Sequence, residues 1–190
     1  GHRDFKGGRG NDTIVGGTDP NSSVSAESLD GPLGMIVNLS NASIMINGVT
    51  VASRTARDSH GDTDTFVLSA GGLAIEGAVH DDYLRGRDDA STWMDGNAGN
   101  DTLIGGAFPD VVEYDDDPEG GGIYGAIVNL SASSITAAGV TGHAGNVTVG
   151  ANQANDCFGD TDMLISIEGV VSSDLNDYLV GSSGANWLGG

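Results

Sequence analysis

Apolar residues occur along this chain in short runs, many of which follow a turn that contains glycine. Gly7–Val15 fits the nine-residue pattern Gly-Gly-x-Gly-x-Asp-x-U-x, in which U is a large apolar residue. Gly96–Ile104 fits it with one departure, because Asn97 replaces the second glycine and also tolerates a left-handed backbone. The last three residues of each nonapeptide predict a very short strand, in which the side chain of Ile14 or Leu103 points inward.

The same nine-residue frame extends to other parts of the chain with looser matches. Gly86–Asp95 carries one extra residue and has Thr92 where the pattern has aspartate, and Asn186 takes that place in the last frame. Repeats that each rely on a neighbour for burial predict a stacked, solenoid-like fold. The remaining frames are Gly77–Arg85, Gly105–Glu113, Ser172–Val180 and Gly181–Gly189.

The chain is also a tandem duplication on a longer scale. Asn11-Asp12-Thr13 recurs as Asn100-Asp101-Thr102, and Ile36–Ser40 recurs as Ile127–Ser131 in the same order. We therefore predict two similar units, the second stacked on the first as one continuous solenoid. The predicted segments are residues 1–6, a cloning scar or linker, residues 7–95, the first unit, and residues 96–190, the second unit.

Two spacer segments, roughly 18–76 and 114–171, lack the nonapeptide and predict strands. Ile44–Val51 consists of two β-rich runs around Asn47-Gly48, which is a strong hairpin signal. No stretch shows helical periodicity over three turns, and glycine interrupts every candidate helix. We predict an all-β fold, a parallel β-roll or β-solenoid, whose spacers either continue the solenoid or loop out from it. Further strands are predicted at Met35–Leu39, Thr65–Leu68, Ala126–Leu130 and Met163–Ile165.

The net charge of the chain limits the classes of partner that it can bind. It has 27 acidic and 7 basic residues, a formal net charge of −20. This balance argues against nucleic acid and against an anionic membrane surface, because phosphate binding needs a basic face. The carboxylates repel one another unless cations neutralise them. With so much repulsion and 32 glycines, we expect the metal-free chain to be largely disordered. No run approaches transmembrane length, and no signal peptide is visible.

The glycine turns suggest what the cation is. Such turns present backbone carbonyl oxygens, and the aspartate of the pattern adds a carboxylate, so the donors are the hard oxygens that suit Ca²⁺. The residues that we expect to contribute turn oxygens are Gly7, Arg9, Gly10, Gly96, Ala98 and Gly99, with the carboxylate of Asp95 at the end of the preceding strand.

These residues resemble the RTX family, the repeats-in-toxin β-roll of secreted bacterial proteins. The resemblance is carried by Gly7–Val15, by residues 96–106 and by Asn176–Gly181. It implies a parallel β-roll with Ca²⁺ held between successive turns, export through a type I secretion channel, and folding outside the cell. Carried over position by position, it implies these side-chain ligands: Asp12, Asp82, Asp101, Asp110 and Asp177, with Asn186 as a substitute and Thr92 as a lost or weak site.

The spacers hold further acidic residues with two interpretations. Asp62 and Asp64, repeated as Asp160 and Asp162, are either calcium ligands or Asx turns that precede a strand. The acidic run Asp115–Gly120 imitates the start of an EF-hand loop but lacks its glutamate and flanking helices, so it is either a calcium-bound loop or a plain acidic turn.

The sequence encodes no H-E-x-x-H and no G-x-S-x-G motif, so we expect any catalytic domain to lie elsewhere in a longer parent protein. Trp93 and Trp187 are either fillers of coil ends or a sugar-stacking surface. The favoured function is a calcium-binding structural and secretion module that contacts neighbouring modules of its parent. The alternative is a polysaccharide-binding accessory of a secreted enzyme such as an alginate epimerase or a protease.

Overall fold

A computed structural model describes residues 3–6, 8–16, 22–25, 31–68, 71 and 73–190. Among them the only helix is one turn, α1 (Asp117–Gly120), so the all-β prediction is confirmed. The strands of the first half are β1 (Arg3–Lys6), β2 (Thr13–Val15), β3 (Ser22–Ser25), β4 (Ile36–Asn38), β5 (Ile44–Ile46), β6 (Val49–Val51), β7 (Thr55–Arg57), β8 (Thr63–Val67), β9 (Leu73–Glu76), β10 (Tyr83–Arg85) and β11 (Thr92–Asp95). Those of the second half are β12 (Thr102–Ile104), β13 (Val111–Glu113), β14 (Ile127–Asn129), β15 (Ile135–Ala137), β16 (Val147–Val149), β17 (Gln153–Asn155), β18 (Thr161–Ile165), β19 (Gly169–Val171), β20 (Tyr178–Val180) and β21 (Trp187–Gly189).

Successive nonapeptides place their strands alternately in two sheets. A ten-stranded sheet has the order β2-β8-β7-β4-β10-β12-β18-β17-β14-β20, and a five-stranded sheet has the order β9-β11-β13-β19-β21. Strands of consecutive coils pair in parallel and in register, with Leu84 opposite Leu103 in one sheet and Met94 opposite Val112 in the other. This alternation is the β-roll that the nonapeptide pattern predicts.

The spacers contribute to the roll and also project from it, which resolves the question that the sequence left open. In each unit three strands form an antiparallel meander inside the ten-stranded sheet, β4-β7-β8 and β14-β17-β18. The order of these strands across the sheet is the reverse of their order in the chain. The last of the three in the first unit, β8, pairs with β2 of the preceding coil, and the first, β4, pairs with β10 of the next coil. The connection from β4 to β7 forms the predicted hairpin, β5-β6, whose turn residues Asn47 and Gly48 have φ of 49° and 81°.

The core lies between the two sheets and is built from one inward side chain per short strand. Leu84, Leu103 and Leu164 lie within it from the ten-stranded sheet, and Met94 and Val170 from the five-stranded sheet, all at 2 % exposure or less. A three-residue strand directs only its middle side chain into this core, so each coil depends on the coils above and below it.

The last coil is less well covered. Leu188 and Trp187 on β21 are 40 % and 53 % exposed, whereas Met94 at the position equivalent to Leu188 is fully buried. The central coils are therefore better packed than the last one.

Candidate calcium-binding site

The glycine turns have the geometry that the nonapeptide requires. Gly8 and Asn97 occupy the same motif position and adopt φ of 77° and 59°, in agreement with the expected left-handed backbone. Gly10 and Gly99, two positions later, have φ of 105° and 128°, which only glycine adopts without strain. These turns bring the backbone round from one sheet to the other.

The motif aspartates form a ladder along the edge of the ten-stranded sheet. The backbone N–H of Asp82 donates to Oδ1 of Asp101 at 2.7 Å, and the N–H of Asp101 donates to Oδ1 of Asp162 at 3.0 Å. In the first unit the N–H of Asp12 donates to Oδ1 of Asp64 at 2.9 Å. Each carboxylate therefore contacts the adjacent coil, and all of them except that of Asp12 are at most 3 % exposed.

A second row follows the five-stranded sheet. Asp110 accepts from the backbone N–H of Thr92 on one coil, and its own N–H donates to Oε2 of Glu168 on the next at 3.0 Å. Thr92 accepts a hydrogen bond from the N–H of Arg87 at 3.0 Å, so its hydroxyl caps the turn that an aspartate caps elsewhere. Sequence reasoning did not find Glu168, because it belongs to no nonapeptide.

The first glycine of the motif makes room for the aspartate five residues later. A Cβ at Gly96 would lie 2.2 Å from Oδ2 of Asp101, and one at Gly77 would lie 2.4 Å from Oδ2 of Asp82. Neither distance is compatible with a side chain, so glycine is required for packing as well as for the turn. The spacing of the first glycine and the aspartate in the pattern follows from this contact.

Each unit has a place where a nonapeptide turn meets the spacer, which we call a junction. The first junction consists of Asp12, Asp58, Asp62 and Asp64, and the second of Asp101, Asp156, Asp160 and Asp162. In the first, the N–H of Gly10 donates to Oδ2 of Asp62 at 2.9 Å. In the second, the N–H of Gly99 donates to Oδ2 of Asp160 at 3.2 Å. The spacer aspartates therefore extend the ladder of the nonapeptides.

Sequence reasoning missed Asp58 and Asp156, the first acidic residue of each junction's spacer. Oδ1 of Asp156 accepts the N–H groups of Phe158, Gly159 and Asp160 at 2.7–3.0 Å, and Oδ1 of Asp58 accepts those of two residues in the equivalent turn. Both side chains are buried, at 0 % and 1 % exposure. The signal was present in the sequence, because Asp-x-x-Gly-Asp-Thr-Asp occurs at 58–64 and again at 156–162.

Burial and mutual repulsion disfavour the charged form of these carboxylates. Burial, and then the neighbouring charge of Asp162, raise the pKa of Asp101 to about 10. Burial and the charge of Asp156 raise the pKa of Asp162 to about 8, although the phenolic hydroxyl of Tyr114 donates to it at 3.0 Å. Burial also raises the pKa of Asp82 and of Asp110 to about 6. A bound cation would oppose all of these shifts.

The remaining predicted ligands have separate surroundings. Asp95 lies opposite Glu76 in the five-stranded sheet, where burial and the charge of Glu76 raise its pKa to about 7. Oδ1 of Asp177 accepts the N–H of Ala126 and the hydroxyl of Ser173, both at 2.7 Å. Asn186 accepts the N–H of Ser182 at 2.8 Å. Gly7 lies outside the described residues, Arg9 is an exposed turn residue, and Ala98 is half-buried.

A group of ion pairs surrounds the turn that follows β10. Arg54 and Arg87 contact Asp89 at 3.0 and 2.9 Å, and Arg85 contacts Asp88 at 2.8 Å. None of these pairs includes a carboxylate of the ladder. Within the described part of the chain, no three His, Cys, Asp or Glu side chains form a ready-made metal cluster. An ion bound here would therefore take some of its ligands from the carbonyl oxygens of the glycine turns.

The donor set nevertheless fits calcium. The functional side chains at the turns are carboxylates and amides, so they offer the all-oxygen coordination that Ca²⁺ prefers. Several buried carboxylate oxygens, among them Oδ2 of Asp101, Asp156 and Asp58, have no hydrogen-bond donor. Buried polar atoms without a partner are rare in proteins, and a bound ion can supply the missing contact.

Trp93 and Trp187 meet on the outer face of the five-stranded sheet. Their ring centroids are 6.1 Å apart, with the planes inclined at 50°. In the sheet the two residues are separated by Val111 and Gly169, and the absence of a side chain at Gly169 leaves space for the rings to approach each other. Both remain partly exposed, at 38 % and 53 %.

Within the described residues, no helix is long and apolar enough to cross a membrane.

Comparison with known proteins agrees with this geometry. The family model of the RTX calcium-binding nonapeptide repeat matches residues 5–22, 93–113 and 172–190, in four copies. The chain therefore carries RTX repeats, as the sequence resemblance indicated, and these repeats are structural units that bind Ca²⁺. No curated protein matches the chain.

Proposed function

We propose that this chain is a calcium-binding RTX-type module of a larger secreted bacterial protein, and that it folds when Ca²⁺ binds outside the cell. The ladder of buried carboxylates is the observation that carries the proposal. Asp82, Asp101 and Asp162 lie on successive coils, and the ion pairs of the described residues around β10 do not include them. Leaving such charges buried and unpaired is costly, and a divalent ion removes the cost.

The mechanism that we infer couples folding to binding. Each ion joins the glycine turns of two coils, so the free energy of binding becomes free energy of folding. The proposed side-chain ligands are the motif aspartates together with Asn186, and the proposed carbonyl donors are the turn residues that follow each strand. The pairing of Gly10 with Asp62 and of Gly99 with Asp160 supports adding the spacer aspartates to this set.

A calcium titration followed by far-UV circular dichroism, with reversal by EDTA, tests the proposal. We expect a largely disordered spectrum in EDTA and a β spectrum in calcium. Magnesium at the same concentration serves as the control, since Mg²⁺ demands a rigid octahedral site and dehydrates reluctantly. A chain that is already folded in EDTA and does not respond to calcium would refute coupled folding.

The affinity tests the extracellular part of the proposal. Modules that work outside cells bind calcium with dissociation constants of about 10⁻⁴ to 10⁻³ M. A folding midpoint in that range would leave the chain unfolded before export and folded afterwards. A midpoint in the nanomolar range would contradict this order of events, because the chain would fold before it was exported.

The tryptophan pair favours a second candidate, a polysaccharide-binding accessory module. Two exposed indole rings that meet on one face provide the apolar surface on which a sugar ring stacks. A pull-down with alginate and with neutral polysaccharides, in calcium and in EDTA, tests this function. We expect calcium-dependent retention that Trp93→Ala removes, and no retention of the intact chain would reject the candidate.

A further inference from the structure

The two junctions leave the same two carboxylate oxygens without a donor. In the first these are Oδ2 of Asp12 and Oδ2 of Asp58, and in the second they are Oδ2 of Asp101 and Oδ2 of Asp156. All four atoms are buried. One orphaned oxygen is easily an accident of packing, but the same pair in both halves of a duplicated chain indicates a common requirement.

The turn around the spacer aspartate explains why one of its oxygens is left over. Oδ1 of Asp156 accepts three backbone N–H groups and thereby fixes the orientation of the carboxylate. Oδ2 then has no donor within the turn, and the side chain is fully buried. A buried acceptor without a partner destabilises a fold, and a charged one does so more strongly.

Hydrogen bonds hold the two turns that carry these oxygens against each other in both junctions. In the second, Oδ1 of Asp156 accepts the N–H of Asp160, and Oδ2 of Asp160 accepts the N–H of Gly99 in the nonapeptide turn. In the first, Oδ1 of Asp58 accepts the N–H of Asp62, and Oδ2 of Asp62 accepts the N–H of Gly10. The N–H of Asp101 also donates to Asp162, so the nonapeptide turn and the spacer are held against each other there.

We propose that each junction binds one Ca²⁺ between the nonapeptide and the spacer, through Oδ2 of Asp12 and Asp58 in the first unit and of Asp101 and Asp156 in the second. Backbone carbonyl oxygens and water complete each coordination sphere. This inference rests on the proposed calcium-binding function and extends it, because Asp58 and Asp156 belong to no nonapeptide. The spacers then become calcium-binding elements in their own right.

The test is a count of bound ions in the full chain by equilibrium dialysis against ⁴⁵Ca²⁺. Asp58→Asn and Asp156→Asn are the informative variants, because asparagine keeps the Oδ1 that accepts the backbone N–H groups and replaces only the orphaned oxygen. We expect each variant to bind one ion fewer than the original chain, and the double variant two fewer. Asp89→Asn, which changes an exposed acid paired with Arg54 and Arg87 outside the junctions, is the matched control and should bind the full number.

The outcomes separate this inference from the proposed function. An original chain that binds no calcium refutes the proposed function. An original chain that binds calcium, with both variants folded and retaining the full number of ions, overturns the junction sites alone. Circular dichroism in saturating calcium shows whether the variants fold.

A second measurement does not depend on those variants. Terbium replaces calcium and luminesces when a nearby tyrosine transfers energy to it, and the hydroxyl of Tyr114 donates to Asp162 in the second junction. We expect Tyr114→Phe to lower the terbium luminescence excited through tyrosine. Unchanged luminescence would count against an ion at the second junction.

Discussion

The two junctions share a motif and a hydrogen-bond pattern but differ in their surroundings. Asp101 and Asp162 are both 1 % exposed, and burial together with neighbouring carboxylates raises their pKa values to about 10 and 8. In the first junction Asp12 is half-buried, although Asp64 is as buried as Asp162. The second junction lies in the middle of the ten-stranded sheet, between β10 and β17, whereas β2 of the first is the end strand. The same residues therefore face a higher electrostatic cost in the centre of the stack.

This difference teaches that position in the stack, as well as the motif, sets how strongly a turn needs calcium. Coils on both sides exclude water from Asp101, and its charge is then felt strongly by its neighbours. A central turn without an ion is therefore costlier than the equivalent turn at the end of the sheet. We expect calcium to contribute more there than at the ends.

The largest expected effect is that of pH on the calcium-free chain. The pKa of Asp101 is raised in the folded state from its ordinary value of 3.8 to about 10, and that of Asp82 to about 6, so the folded state binds more protons in that window. Stability in EDTA should then fall as pH rises from about 4 towards 10. The folded fraction in EDTA at pH 5 and pH 8, followed by far-UV circular dichroism, measures this, and a larger folded fraction at pH 8 would contradict it. In saturating calcium the trend should weaken or reverse, because the ion needs deprotonated ligands.

The second comparison uses equivalent core residues in the centre and at the end. Leu84 on β10 is fully buried, and Leu179 at the same place on β20 is half-buried. In saturating calcium, Leu84→Ala should lower the free energy of unfolding by about 2–5 kcal/mol. Leu179→Ala should cost about half as much or less, since less surface loses its contacts. Equal losses would show that the centre and the end of the stack are equally packed.

The third comparison concerns the glycine beneath a motif aspartate. Gly96→Ala should destabilise the calcium-bound protein by about 1–3 kcal/mol, because the new Cβ would lie 2.2 Å from Oδ2 of Asp101 and force a shift. Gly190→Ala, where a Cβ would meet nothing within 4 Å, is the control. Thermal unfolding in calcium measures both, and an unchanged midpoint for Gly96→Ala would remove the packing explanation.

The smallest expected effect separates the two junctions directly. Asp101→Asn should stabilise the calcium-free chain, since it removes a charge that burial disfavours, yet it should raise the calcium midpoint about tenfold, or about 1.4 kcal/mol. Asp12→Asn should change both quantities less, because Asp12 is partly solvated. Calcium titrations of both variants measure the difference. Equal shifts would mean that burial does not distinguish the junctions.

Local pattern predicted the repeating parts of the fold well. Every described nonapeptide ends in a short strand, and the Asn47-Gly48 hairpin forms as predicted, because glycine turns and Asn-Gly dipeptides restrict the backbone directly. The reversed order of β4, β7 and β8 could not be read from the sequence. It depends on which neighbouring strand each one pairs with, and three short β-rich runs carry no information about that choice.

The sequence predicted the repeating part of the candidate site, but not the residues that the spacers add to it. The motif aspartates follow from the spacing of glycine and aspartate, but whether a carboxylate binds an ion or caps a turn depends on the coil that lies against it. Asp58 and Asp156 do both in our account, with one oxygen for each task. Glu168 was invisible to the pattern because it reaches the second row from a spacer.

The backward course of the meander constrains the order of assembly. Nonapeptide coils can stack one after another, in chain order, as the chain becomes available. In the first meander two strands, β8 and β7, lie between β2 and β4, although both follow β4 in the chain. The space between β2 and β4 is therefore filled only when β7 and β8 fold back towards β2. Folding that proceeds coil by coil from one end therefore stops at each meander until all three strands are in place. The smallest part of the chain that folds cooperatively is then the unit of about ninety residues and not the single coil.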